Sequence, residues 1–199
     1  MFIELTDHLR CPGDHDEGFL VLLPDAMNGR LVARGTLGCP SCGKLVNVVD
    51  GVVDFGGGPN SPAETQLTAD LVALFLGLEG PGGYLALIGA VGLAAPACSV
   101  ALPGIRLVLV NPPAGVADSD AGSVVRAARS PLKSNSMRGV VLSADHGADP
   151  AWVNAAFDAV LPGNPVVIEG GRIERSDVAI VAEAPGFWVG RKTTGRWAP

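Results

Sequence analysis

Residues 84–105 read YLALIGAVGLAAPACSVALPGI, a run of 22 residues without a charge. Nothing else in the chain narrows the choice of fold as much. A helix of that length can cross a bilayer. Here Pro96 and Pro103 interrupt the run, alanine and glycine dominate it, and Arg106 follows at once. A buried strand, a Gly-containing turn and a helix explain it better, with a strand over 84–88 ending at Gly89 and a helix over 92–100. Such a unit belongs inside an α/β sheet, so no membrane span is expected.

The rest of the second half alternates in the same way. Strands are expected over 105–110, 139–143, 165–169, 178–182 and 187–191. A short helix is expected near 124–129. A further helix runs from the Asp149-Pro150 start to residue 161, where Pro162-Gly163 stops it. Ser61-Pro62-Ala63-Glu64 has the form of a capping box, so a helix is expected to open there, with Leu67, Leu71, Leu74, Phe75 and Leu78 on one face. Strands alternating with helices predict an α/β class and a mostly parallel sheet.

Residues 1–57 read differently. Strands over 19–23 and 30–37 flank a turn over 24–29, with Asn28-Gly29 its strongest part, and strands over 45–49 and 52–55 flank Asp50-Gly51. This is a small antiparallel unit with little core of its own, the situation that calls for a metal staple. Gly56-Gly57-Gly58-Pro59-Asn60 reads as a linker, which divides the chain into a module of 1–57 and a domain of 61–199.

Of the four cysteines, Cys11, Cys39 and Cys42 have metal-knuckle spacing, and Cys98 lies in an apolar stretch. Zinc takes four tetrahedral Cys or His ligands from two knuckles. Cys39-Pro40-Ser41-Cys42 is one knuckle. The other supplies Cys11 and either His15 or Asp14. Three thiolates with an imidazole make the more usual structural set, so His15 is the expected ligand and Asp14 the alternative. The 14 basic residues are scattered and the net charge is −6, which excludes an obvious nucleic-acid footprint. Met1-Phe2-Ile3-Glu4 does not open a signal peptide, so a cytoplasmic location is expected.

Two resemblances follow. Residues 5–12 (LTDHLRCP), 38–43 (GCPSCG) and 48–52 (VVDGV) resemble the small zinc-ribbon family that includes the activator subunit of tRNA and translation-factor methyltransferases. The departure is at the first knuckle, where that family has a second cysteine and no inserted residues. Residues 84–92, 130–141 and 161–168 resemble, in order and spacing, three motifs of a class I S-adenosylmethionine-dependent methyltransferase domain of the small-molecule type, whose fold is Rossmann-like. The resemblance implies cofactor contacts from Gly89 and Gly92 and three acidic residues around them. The positions matching those acids are Ala86 or Leu87, Asn111 and Arg126. Only Asn111 could still accept a ribose hydroxyl. Asp145 and His146, after the fourth strand of the domain, form a candidate acid/base pair, while Asp149 reads as a helix cap.

The expected protein is therefore a zinc ribbon fused to a degenerate methyltransferase-like domain. S-adenosylmethionine binding is weakened or lost, and the chain works as a scaffold for another protein, itself a methyltransferase or translation-related. Two rivals stay open. One is an active methyltransferase on a small molecule. The other is a binding module for an anionic ligand near Gly89, Arg126 and Asp145.

Overall fold

The computed structural model describes residues 1–57, 61, 62 and 64–193. The chain opens on a 3-10 turn, Ile3–His8. Four strands follow: β1 (Val21–Asn28), β2 (Leu31–Gly38), β3 (Leu45–Val49) and β4 (Val52–Asp54). Each pairs antiparallel with the next. Asp50 and Gly51, at φ 50° and 78°, make the tight turn between β3 and β4 that the Asp-Gly pair predicts.

The α/β part comprises α1 (Ala69–Leu76), β5 (Tyr84–Ile88), α2 (Ala95–Ala101), β6 (Arg106–Val110), β7 (Ser123–Arg126), β8 (Gly139–Leu142), α3 (Ala144–Gly147) and α4 (Pro150–Ala159). It ends with β9 (Pro165–Glu169), β10 (Val178–Ala184) and β11 (Phe187–Lys192). Among the described residues eleven strands join one sheet, in the order β1-β2-β3-β4-β7-β6-β5-β8-β9-β11-β10. Strands β4 to β9 along that order are parallel, while β11 runs antiparallel to β9 and to β10. This is a mixed, Rossmann-like α/β sheet. Its strand order reverses between β5 and β8, the point at which open α/β sheets form a ligand crevice.

The uncharged run is the middle of that sheet. All five β5 residues are buried. Alternation then divides them between two layers. Leu85 and Leu87 meet Val72 and Leu76 of α1 and Cys98 of α2. Ala86 and Ile88 face the layer that holds Val153 and Phe157 of α4 and Leu5 and Leu9 of the N-terminal turn. Residues 1–57 and the α/β part are continuous through β4 and β7, which pair Val53 with Val125 and Asp54 with Arg126.

Four expected elements differ. The turn expected over 24–29 tightens to Gly29-Arg30, because β1 runs on through Pro24 to Asn28 paired with β2. Ser61 does not open a helix. That helix begins at Ala69, where Thr68 accepts the Leu71 N–H. Leu67 therefore lies outside it, and Leu74 is exposed while Val72 and Leu76 are buried. The segment near 124–129 is a strand, because Val124 and Val125 fill the gap between β6 and β4; β-branched residues in a pleated, two-sided core outweigh the helical preference of Ala127 and Ala128. The helix of the Gly turn also starts late, with a 3-10 segment over Gly89–Ala94 before α2.

One side chain fixes the loop after β9. Arg175 donates from Nε and Nη2 to Asp177 (2.8 Å each) and from Nη1 to Asp158 on α4 (3.0 Å). The guanidinium holds the Asp177 carboxyl below its ordinary range. Both carboxylates are substantially exposed, so Arg175→Ala is expected to cost only about 1 kcal/mol. A depressed carboxyl pKa contributes stability above the unfolded value and loses it as pH falls through the folded one. The difference between wild type and variant should therefore be full well above about pH 4 and shrink progressively as pH falls below it, in urea titrations across pH.

Candidate functional site

Cys39 and Cys42 lie in the turn between β2 and β3, where the Gly38–Leu45 pair closes the ladder. Within that turn Cys39 N–H donates to Lys44 O (2.9 Å) and Gly43 N–H to Cys39 O (2.8 Å). Cys11 and His15 come from the loop between the N-terminal turn and β1. The four ligand atoms lie within 4.8 Å of one another and could hold a metal ion. Cys11 Sγ is 3.8 Å from Cys42 Sγ, and Cys39 Sγ is 3.4 Å from His15 Nε2. His15 Nδ1 is 2.8 Å from Asp16 O; donation there leaves Nε2 as the free lone pair facing the thiols. Burial raises the Cys11 thiol. It also raises Cys39, but contacts from the Cys42 amide and thiol and from the Ser41 amide outweigh it and bring Cys39 down to about 7. Asp14, the alternative ligand, is outside the cluster; its carboxylate pairs with Arg129.

The second candidate site lies where the sheet order reverses. Gly89 has φ 85°, and a Cβ there would stand 2.6 Å from Asp145 Oδ1 and 2.9 Å from His146 Nδ1. The space above the glycine is thus filled by the chain's own acid and imidazole. Gly92 is covered in the same way, by Pro112. Between them the Val91 N–H donates to Ser143 Oγ (2.6 Å). Residues 89–92 are all buried.

His146 is 3% exposed. Its Nδ1 is 2.8 Å from Asp145 Oδ2, an ion-pair distance without an aligned hydrogen bond. Its Nε2 is 3.3 Å from Asn111 Nδ2, and its ring meets Trp152 edge-on at 4.8 Å. Ser61 Oγ donates to Asp145 Oδ2 (2.5 Å). Burial raises the Asp145 carboxyl, but the His146 and Ser61 contacts outweigh it and leave the pKa lowered. The segment that begins at Ser61 continues to Glu169, at the end of β9, which accepts from Thr65 Oγ1 (2.6 Å) and the Gln66 N–H (2.8 Å).

Asn111 is fully buried. Its amide donates to Ala127 O (2.8 Å) and accepts from Ala127 N–H (2.9 Å), which ties the end of β6 to the end of β7. Ala86 and Leu87 are core residues of β5. Arg126 stands apart from Gly89 and Asp145. It lines a separate open groove of about 680 Å³ with Lys44, Leu45, Val49 and Asp54. The structure brings Asp145 and His146 against Gly89 and Asn111 against His146, while Ser61 and Ser143, which bond to Asp145 and to the Val91 N–H, are site residues that the sequence did not single out. Serine carries no periodic signal that would have revealed them.

No family model matches the chain, and no curated protein matches it. Among solved structures it is similar to the complex between the Haloferax volcanii Trm112 methyltransferase activator and a protein provisionally named a methyltransferase. That match has 19% identity, a TM-score of 0.42, and covers 50% of this chain and 50% of that one. It is also similar to the antibiotic-resistance methyltransferase Kmr (13% identity, TM-score 0.42, 65% and 95% covered). A third likeness is to the O-methyltransferase TomG of Streptomyces achromogenes, solved with S-adenosylmethionine (15% identity, TM-score 0.39, 63% and 78% covered). The chain spans about half the length of the first of these. Among the described residues, no helix is long and apolar enough to cross a membrane.

Proposed function

We propose that this chain is a methyltransferase-type α/β protein that does not hold S-adenosylmethionine, carries a structural zinc ion, and serves as a scaffold for a protein partner. One observation carries the reading: the space over Gly89, where a nucleoside cofactor would lie, is taken by Asp145 and His146 of the same chain. The donors and acceptors that would face a cofactor are spent internally. Val91 N–H is satisfied by Ser143, the Asn111 amide by Ala127, and one Asp145 oxygen by Ser61. The positions matching the family's acids add none, since Ala86 and Leu87 have no charge to offer. A charge-assisted hydrogen bond contributes about 1.5–3 kcal/mol, so losing two weakens binding by about a hundredfold to ten-thousandfold.

Asp145 and His146 are better understood as the pair that closes this crevice than as an acid/base pair, because His146 has almost no solvent contact. Zinc suits the four-ligand cluster. Tetrahedral zinc separates two thiolates by about 3.8 Å and a thiolate from an imidazole nitrogen by about 3.6 Å, and the observed 3.8 and 3.4 Å agree. Its part is to staple the loop that carries Cys11 and His15 to the β2–β3 turn that carries Cys39 and Cys42, inside the ribbon-like 1–57 module. The exposed Leu23, Leu45 and Val49 on β1 and β3 give that module an apolar outer surface of the kind that protein partners cover.

Isothermal titration with S-adenosylmethionine and with S-adenosylhomocysteine tests the reading. No saturable heat is expected at micromolar ligand. Micromolar binding of either would overturn it and restore the active-methyltransferase alternative.

A further inference from the structure

A different cavity is open to solvent. It measures about 390 Å³ and lies between the start of α4 and the loop after β7, within the size range of small-molecule sites. Ala151, Trp152 and Ala155, one face of α4, form one wall. Arg10, Arg129 and Ser130 form the other, with Asp149 at the rim. The two arginines come from segments clamped together. Arg10 N–H donates to Pro131 O (2.8 Å), and Leu9 bridges Leu132.

We propose that this cavity binds a small organic anion, a carboxylate or phosphate carried on a flat apolar body. Arg10 supplies the first reason. Its side chain lines the cavity and is 36% exposed. The carboxylate nearest its guanidinium, Glu17, is 3.8 Å away and already accepts from Ser134 N–H (2.9 Å) and Oγ (3.0 Å). A guanidinium whose nearest carboxylate is that distant and already engaged keeps its charge for an incoming anion. Arg129 supplies the second. Among the described residues its guanidinium pairs with Asp14, whose side chain is 87% exposed; an incoming anion can replace a solvated surface partner at little cost. Together the two guanidinium groups offer the planar, multidentate donors that carboxylate and phosphate oxygens take.

The rest of the cavity selects the body. Trp152 is 7% exposed and flanked by alanines, so it offers apolar surface without filling the space. Asp149 keeps its negative charge, with Oδ1 turned to the Ala151 N–H (2.8 Å) as the cap of α4, and the two arginines outnumber it on the cavity lining. The cavity is distinct from the closed crevice over Gly89, so the proposal does not depend on whether S-adenosylmethionine binds.

Phenyl phosphate is the probe, with inorganic phosphate and benzyl alcohol as the head-only and body-only arms, measured by isothermal titration calorimetry at low salt. Saturable binding of phenyl phosphate is expected, about tenfold or more tighter than inorganic phosphate, with none for benzyl alcohol. Arg10→Ala and Arg129→Ala are each expected to weaken it about tenfold. Arg129 is two-thirds exposed, so its variant reads binding without disturbing the fold even if Arg10→Ala disturbs the neighbouring Cys11. Absence of saturable binding up to about 10 mM, the limit of weak specific association, or an affinity unchanged by Arg129→Ala, overturns the proposal.

Discussion

Cys42→Ala is expected to abolish stoichiometric zinc and to lower the melting temperature by about 10 °C or more. The size of the effect is what makes it diagnostic. Cys42 is exposed, and an exposed residue with no special role changes stability by only about 0.5 kcal/mol on substitution. As a metal ligand the same side chain carries a share of a binding free energy that, in small zinc modules, amounts to about 10–16 kcal/mol and is also folding free energy. Part of the module survives its loss here, because β4 remains paired to β7 and Val32, Val46 and Val53 remain in the shared core. The expected deficit is therefore several kcal/mol, which for a chain of this length corresponds to about 2–4 °C per kcal/mol. His15→Ala should behave in the same way. Asp14→Ala should keep its zinc, since Asp14 is bonded to Arg129 and lies outside the cluster. Elemental analysis of the three variants beside scanning calorimetry checks all of this. Zinc retained in Cys42→Ala with an unchanged melting temperature would remove Cys42 from the ligand set, and a wild type without zinc would remove the metal from the account.

The parts of this fold that were legible in the sequence are those set by local periodicity. β5, β6, β8 and β9 are runs of Val, Leu and Ile bounded by glycine or proline, and a buried parallel strand leaves that signature. The knuckle was legible for a similar reason, because two cysteines with their turn glycine are a local object. The errors fell where a distant partner decides. Ser61-Pro62-Ala63-Glu64 has every local mark of a helix start, yet the Ser61 hydroxyl is engaged by Asp145, 84 residues away, and Thr68 caps the helix instead. Val124-Val125 preceding Arg126-Ala127-Ala128 could be read either way, until β4 from the N-terminal module arrives to pair with it. The positions that the sequence matches to cofactor acids, Ala86, Leu87 and Asn111, are fully buried, but the packing around Gly89 was not legible. That Asp145 and His146 turn inward over Gly89 depends on α3 folding back onto the end of β8, which no spacing rule encodes.

Asn111→Ala is expected to destabilise the protein by about 3–5 kcal/mol, the largest effect of any single polar substitution near the crevice. Asn111 is fully buried with φ 50°, a left-handed conformation that asparagine tolerates and alanine adopts at a cost of about 1 kcal/mol. Its side chain satisfies both the N–H and the C=O of Ala127. Truncation leaves both groups buried and unpaired, at about 1–3 kcal/mol each. The consequence reaches the crevice, because the same amide lies 3.3 Å from His146 Nε2 and helps fix the imidazole over Gly89. A residue kept for a ribose would behave otherwise. Its replacement would lower nucleoside affinity and leave stability nearly untouched. Urea denaturation of Asn111→Ala, run beside the S-adenosylmethionine titration, separates the two roles. A stable variant with altered nucleoside binding would return Asn111 to the cofactor site, whereas a large loss of stability with no nucleoside binding in either protein is the signature of an internal latch.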